Sequence, residues 1–85
     1  MKILRMMEFE DECEKKILVE KDGEYYLLKE YYIGGTFHKN WAIFSCYGND
    51  KEFLWSADEC ELRDVGCSYT SLYECMNELM EMDGE

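Results

Sequence analysis

The dipeptide Asp22-Gly23 constrains this chain more than any other short stretch in it. It joins two strand-like runs, Lys16-Ile-Leu-Val-Glu-Lys21 and Glu24-Tyr-Tyr-Leu-Leu28. Asp-Gly tolerates the two positive φ angles of a type I′ turn, so the runs are expected to fold back as a two-residue hairpin. That turn fixes the register. Lys21 faces Glu24, Val19 faces Tyr26, Ile17 faces Leu28 and Lys15 faces Glu30, with Leu18 opposite Leu27 and Lys16 opposite Lys29. Because alternate residues point to opposite faces, the apolar and opposite-charge pairs gather on the Val19 face, which is expected to be the core face.

Further signals continue the pattern. Gly34-Gly35 ends the second run, and Asn40-Trp-Ala-Ile-Phe-Ser-Cys-Tyr47 reads as a central strand, apolar on both faces. Gly48-Asn49-Asp50 is turn chemistry, so Glu52-Phe-Leu-Trp-Ser56 is expected to return as another antiparallel strand. Ile3 to Phe9 can add a strand at the start. Ser56-Ala-Asp-Glu59 has capping-box spacing for a short helical turn, with a last short strand over Cys60 to Val65. Ser71-Leu-Tyr-Glu74 is a second capping box, and Leu72, Met76, Leu79 and Met80 recur at helical spacing behind it, predicting an amphipathic helix over about 72–83.

The fold expected is therefore α+β, one domain over 1–85. A small antiparallel sheet of four to six strands, about 3–65, carries one C-terminal amphipathic helix. A meander followed by a turn and a final short strand is similar in architecture to a partly closed SH3-like barrel, a likeness that implies no function. Eighty-five residues hold one modest core, so the 47% hydrophobic and 15% aromatic content has to be used efficiently.

Charge is the least ordinary property of the chain. The formal net charge is −11, with ten acids and eight bases in residues 1–51 but ten acids against Arg63 alone in residues 52–85. A field of that sign repels nucleic acid and anionic membrane and attracts basic surfaces, so direct nucleic-acid or membrane binding is disfavoured. There is no apolar run near 18 residues and no apolar stretch of signal type, and a cytoplasmic protein is expected. Five cysteines, Cys13, Cys46, Cys60, Cys67 and Cys75, form an odd set without a CxxC pair, which suits free, buried thiols in a reducing compartment.

Chemistry-bearing constellations are sparse. Cys60, Cys67 and Cys75 match no zinc-knuckle spacing and His38 lies far from them. Neither the acids from Glu8 to Glu14 nor those from Asp58 to Asp64 have the alternation and central glycine of a calcium loop. Neither metal nor cofactor is expected. A Cys/His pair can be written with any of the five cysteines, so none is singled out, and no catalytic residue is assigned. An enzyme is not expected.

Candidate binding residues are easier to name. Glu74, Glu78, Glu81 and Glu85 fall at offsets 0, 4, 7 and 11, a single stripe on the predicted helix. Asp58, Glu59, Glu61 and Asp64 surround the predicted final turn. Such a stripe is either a solvated face or a ridge whose carboxylates stand where phosphates of a nucleic acid would. Tyr25 and Tyr31 are expected on the outer face of the hairpin, where exposed tyrosines anchor protein contacts. The profile is similar to that of small acidic phage-encoded inhibitors, including anti-CRISPR proteins and other DNA mimics. The function expected is thus an inhibitor or decoy that binds a protein with a basic surface, such as a nucleic-acid enzyme. The alternative is an interaction module or self-assembling subunit, homodimers included, that uses the tyrosine face or a sheet edge.

Overall fold

A computed structural model describes residues 1–9, 14–33 and 38–82, without the side chains of 8, 9 and 14. Five strands form one sheet: β1 (Lys2–Phe9), β2 (Glu14–Lys21), β3 (Glu24–Tyr32), β4 (Lys39–Ser45) and β5 (Arg63–Tyr69). They lie in chain order, each antiparallel to the next, as an open meander with β1 and β5 at its edges. Between β4 and β5 come a 3-10 turn (Tyr47–Asn49), helix α1 (Lys51–Ser56) and a second 3-10 turn (Glu59–Glu61). Helix α2 (Leu72–Glu81) follows β5. The architecture is α+β with a sheet rather than a closed barrel. The strands extend to Tyr69, beyond the expected limit near residue 65.

The central hairpin has the register its turn dictates. Asp22 and Gly23 adopt φ of 52° and 81°, and Val19 pairs with Tyr26, Leu18 with Leu27 and Lys16 with Lys29. The β3–β4 connection that includes Gly34 and Gly35 lies outside the described residues.

The expectation of a single core face needs correction. Ile17, Val19, Tyr26, Leu28, Trp41 and Ile43 are buried on one face of the sheet beneath Cys75 and Leu79 of α2. Leu18, Leu27, Ala42 and Phe44 are buried on the other face with Leu54 of α1. The sheet is a filling between two layers, which is why β2, β3 and β4 each carry consecutive buried residues instead of strict alternation. Tyr25 and Tyr31 are accordingly half-buried against the Leu18 cluster and do not form an exposed outer face.

The layer over the Leu18 face is the element that the sequence pattern misassigned. Residues 52–56 form no strand but belong to α1. Asp50 decides this: one carboxylate oxygen accepts from the N–H groups of Glu52 (3.0 Å) and Phe53 (3.2 Å), satisfying donors that a helix start leaves open. Ser56, expected to cap the following turn, instead donates its hydroxyl to Glu52 O (2.9 Å), and the turn at Glu59–Glu61 has no side-chain cap. Trp55 completes the layer. Its ring lies 4.3 Å from Lys16 Nζ and 5.2 Å from the Arg5 guanidinium, and Lys16 also donates to Trp55 O (2.7 Å) at the helix C-terminus, where a cation is favoured.

On the other side, Ser71 caps α2 by accepting from Glu74 N (3.1 Å). The helix buries Cys75 and Leu79 and rests Leu72 and Met76 on the Val19 cluster, while Met80, which shares the helical periodicity, is 60% exposed.

Candidate functional site

The acidic residues singled out by the sequence gather about one edge of the sheet, strand β5. Two breaks of register with β4 bend this strand, and Ser68 takes φ of 68°. Tyr31 reaches across from β3 to accept Ser68 N on its hydroxyl (3.2 Å). Gly66 leaves room for Tyr69: a Cβ at residue 66 would collide with the phenol oxygen and ring.

Around this strand the acids fall into two rows. On the Val19 side, Glu74, Glu78 and Glu81 are exposed along α2. Residues four apart on a helix bring side chains about 5–6 Å from each other at Cβ, so the row is dense in charge. No base stands in the last turn of α2 to offset the carboxylates there. Glu74 and Glu78 stand near the end of β5, beside Thr70 and Tyr69. Burial first, and then the charge of Glu78, raises the Tyr69 phenol above its ordinary 10.0. Glu74 accepts from Thr70 N (3.0 Å) and Thr70 Oγ1 (2.5 Å), bonds that hold its carboxyl below the usual 4.5. Glu85 lies outside the described residues.

The second row stands on the Leu18 side. Asp58, Glu59, Glu61 and Asp64 are all exposed, and Leu62 between them packs on the Leu18 cluster. Lys29 Nζ holds Glu59 at 2.6 Å. Asp64, on β5 itself, is opposite Phe44. The two rows therefore flank the β5 edge from opposite faces of the sheet. Glu59 and Glu74 are committed to contacts within the fold, and the others present their carboxylates to solvent. The acidic stretch Glu10 to Glu12 lies outside the described residues, as does Cys13.

The cysteines separate from one another. Cys75 is buried under α2, where burial, and after it the charge of Glu74, push its thiol up to about 12. Cys60 and Cys67 are exposed, contrary to the expectation of buried thiols, and both line a 430 Å³ hollow on the Leu18 side with Tyr31 and Phe44. Among the described residues, no group of three or more His, Cys, Asp or Glu side chains is placed to hold a metal ion. No helix among them is long and apolar enough to cross a membrane.

One feature escaped sequence reasoning altogether. An open cavity of 730 Å³ lies at the end of the sheet where β3 begins and β4 ends, bordered by Glu24, Tyr26, Tyr47, Arg63 and Asp64. Its floor is tied together by Asn49, which accepts from Tyr25 N (2.8 Å) and donates to Gly23 O (2.9 Å). Four separate segments meet there, so no local motif announces it. No protein-family model matches the chain, and neither a curated protein nor a solved structure does.

Proposed function

We propose that this chain is a small acidic protein-binding protein, an inhibitor or decoy that occupies a basic nucleic-acid-binding surface of a partner enzyme. The observation that carries the reading is the pair of carboxylate rows on either side of β5, in a region where residues 51–82 hold eight acids and two bases. Dense like charge at helical spacing costs a few tenths of a kcal/mol per pair within the fold, and a basic groove would repay it on binding. Charges of this kind steer association and give it a steep salt dependence. The mechanism is competition: carboxylates take positions that phosphates would otherwise hold on the partner.

The test uses Glu61→Gln, Glu78→Gln and Glu81→Gln together, leaving Glu59 and Glu74 in place because both serve the fold. Proteins retained from a cell extract by wild-type and variant chains are compared at low and high salt, with duplex DNA as competitor. A partner released by salt, displaced by DNA and lost in the triple variant is the expected result. Partners indifferent to all three treatments overturn the reading.

A further inference from the structure

The two edges of the sheet are finished differently. Strand β5 is bent by two register breaks, carries a residue at positive φ and is flanked by carboxylates, all of which discourage another strand from adding to it. Strand β1 has one register break, at its start between Ile3 and Arg5, and then pairs regularly with β2 from Arg5–Leu18 to Phe9–Glu14. Among the described residues no strand lies on its outer side, and the chain contains no proline to interrupt it. With Met1 just before it, the strand concentrates exposed apolar surface: Met1, Ile3, Met6 and Met7 are 48%, 49%, 56% and 41% exposed. Helix α2 lies mainly over β4 and β5, and Ile3 and Met6, which pair with Val19 and Ile17, stay about half exposed. A methionine-rich edge whose last five residues pair regularly is a template for strand addition.

Charge decides what can add to it. A second copy of a chain at −11 is repelled wherever the acidic rows face it. Residues 1–33, which include β1, β2 and β3, hold nine acids and six bases, against ten acids and one base in residues 52–85, so the β1 edge is less acidic than the β5 edge. Four strand spacings of about 4.8 Å put β1 about 19 Å from β5, more than twice the Debye length of about 8 Å at physiological salt. Repulsion from the acidic rows is largely screened at that distance. The strand is also complementary to itself in antiparallel sense, because it begins with Lys2 and Arg5, the latter 3.3 Å from Glu52 of its own chain, and has Glu8 near its end. Antiparallel pairing brings the basic start of each copy beside the acidic end of the other and sets Met6 and Met7 near the two-fold axis.

We infer that the chain forms a symmetric dimer through antiparallel pairing of β1 with β1, making one continuous sheet of two meanders. This surface is separate from the acidic rows, and the inference does not depend on their proposed role. The test is the solution mass of the full chain by sedimentation over about a hundredfold range of concentration, in reducant so that Cys60 and Cys67 do not cross-link. Met6→Lys sets an ammonium at an exposed position near the axis, and Cys67→Lys does the same on the other edge. Circular dichroism confirms that both variants are folded. Expected are a two-chain mass for wild type and Cys67→Lys, and a dissociation constant raised about tenfold or more by Met6→Lys. Amide exchange supplies the second reading: β1 amides slow in wild type become fast in Met6→Lys. A wild type that keeps a one-chain mass throughout overturns the inference, as does a dimer that survives Met6→Lys or leaves the β1 amides unprotected.

Discussion

Leu79 and Leu54 are both completely buried, on opposite faces of the same sheet, and their supports differ in kind. Leu79 belongs to a ten-residue helix with a side-chain cap and an apolar stripe of its own. Leu54 sits in a helix of six residues, too short to persist in isolation, which exists because Asp50 caps it and the Leu18 face needs cover. One layer brings local helical structure to the sheet, while the other is made helical by docking. Burial alone does not show which is the more robust.

The largest expected effect compares these two side chains directly. Leu79→Ala and Leu54→Ala should each lower the unfolding free energy by about 2–5 kcal/mol, read from urea titration. If Leu54→Ala costs under about 1 kcal/mol while Leu79→Ala falls in that range, the Leu18 face is only a partial core and equal burial does not mean equal support. The caps come next. Asp50→Ala and Ser71→Ala should each cost about 1 kcal/mol. Asp50→Ala should also loosen α1 as a unit and speed amide exchange from Lys51 to Ser56, whereas exchange in α2 of Ser71→Ala should rise only in the first turn. Equal, local fraying in both would erase the distinction between an autonomous and an imposed helix.

Effects that depend on pH follow from titration on the Val19 face, where Cys75 and Glu74 are neighbours in α2. The Cys75 thiol is pushed up to about 12 in the folded chain against an ordinary 9.0. The unfolded chain gives up this proton first, so the contribution is complete below pH 9.0 and is lost as pH rises toward about 12. Cys75→Ala should flatten the alkaline limb of a stability-versus-pH curve, while Cys60→Ala should leave it unchanged. Glu74 runs the other way, since its carboxyl is held below 4.5 by Thr70. Its contribution is present above pH 4.5 and is lost as pH falls through the depressed value, so Glu74→Gln should flatten the acid limb. Unchanged limbs in these variants would remove titration as a difference between the faces.

What could be read in the sequence follows the same division. The Asp22-Gly23 hairpin and α2 each announce themselves through a short motif beside a periodic run. Helix α1 does not: Phe53-Leu-Trp55 is apolar without period, and Asp50 fits a turn as well as it fits a cap. The partition between strand and helix there was settled by the exposed Leu18 face of a sheet assembled from distant residues. Tyr31 was likewise read as an anchor for another protein, and its hydroxyl is instead engaged by a bulge two strands away. The acidic stripe on α2 was legible from its spacing. Its juxtaposition with Asp58–Asp64 across β5 was not, because it depends on where the last strand ends.

The meander order also bears on how the chain acquires its structure. Every ladder joins strands adjacent in sequence, so contact order is low for a β-rich protein, and pairing can start at Asp22-Gly23 and spread outward one hairpin at a time. During synthesis β1 to β5 leave the ribosome before α2 does. The growing sheet therefore passes through a stage in which Ile17, Val19, Leu28 and Ile43 are assembled but uncovered, and the delay before α2 docks is the interval of greatest exposure to misassociation.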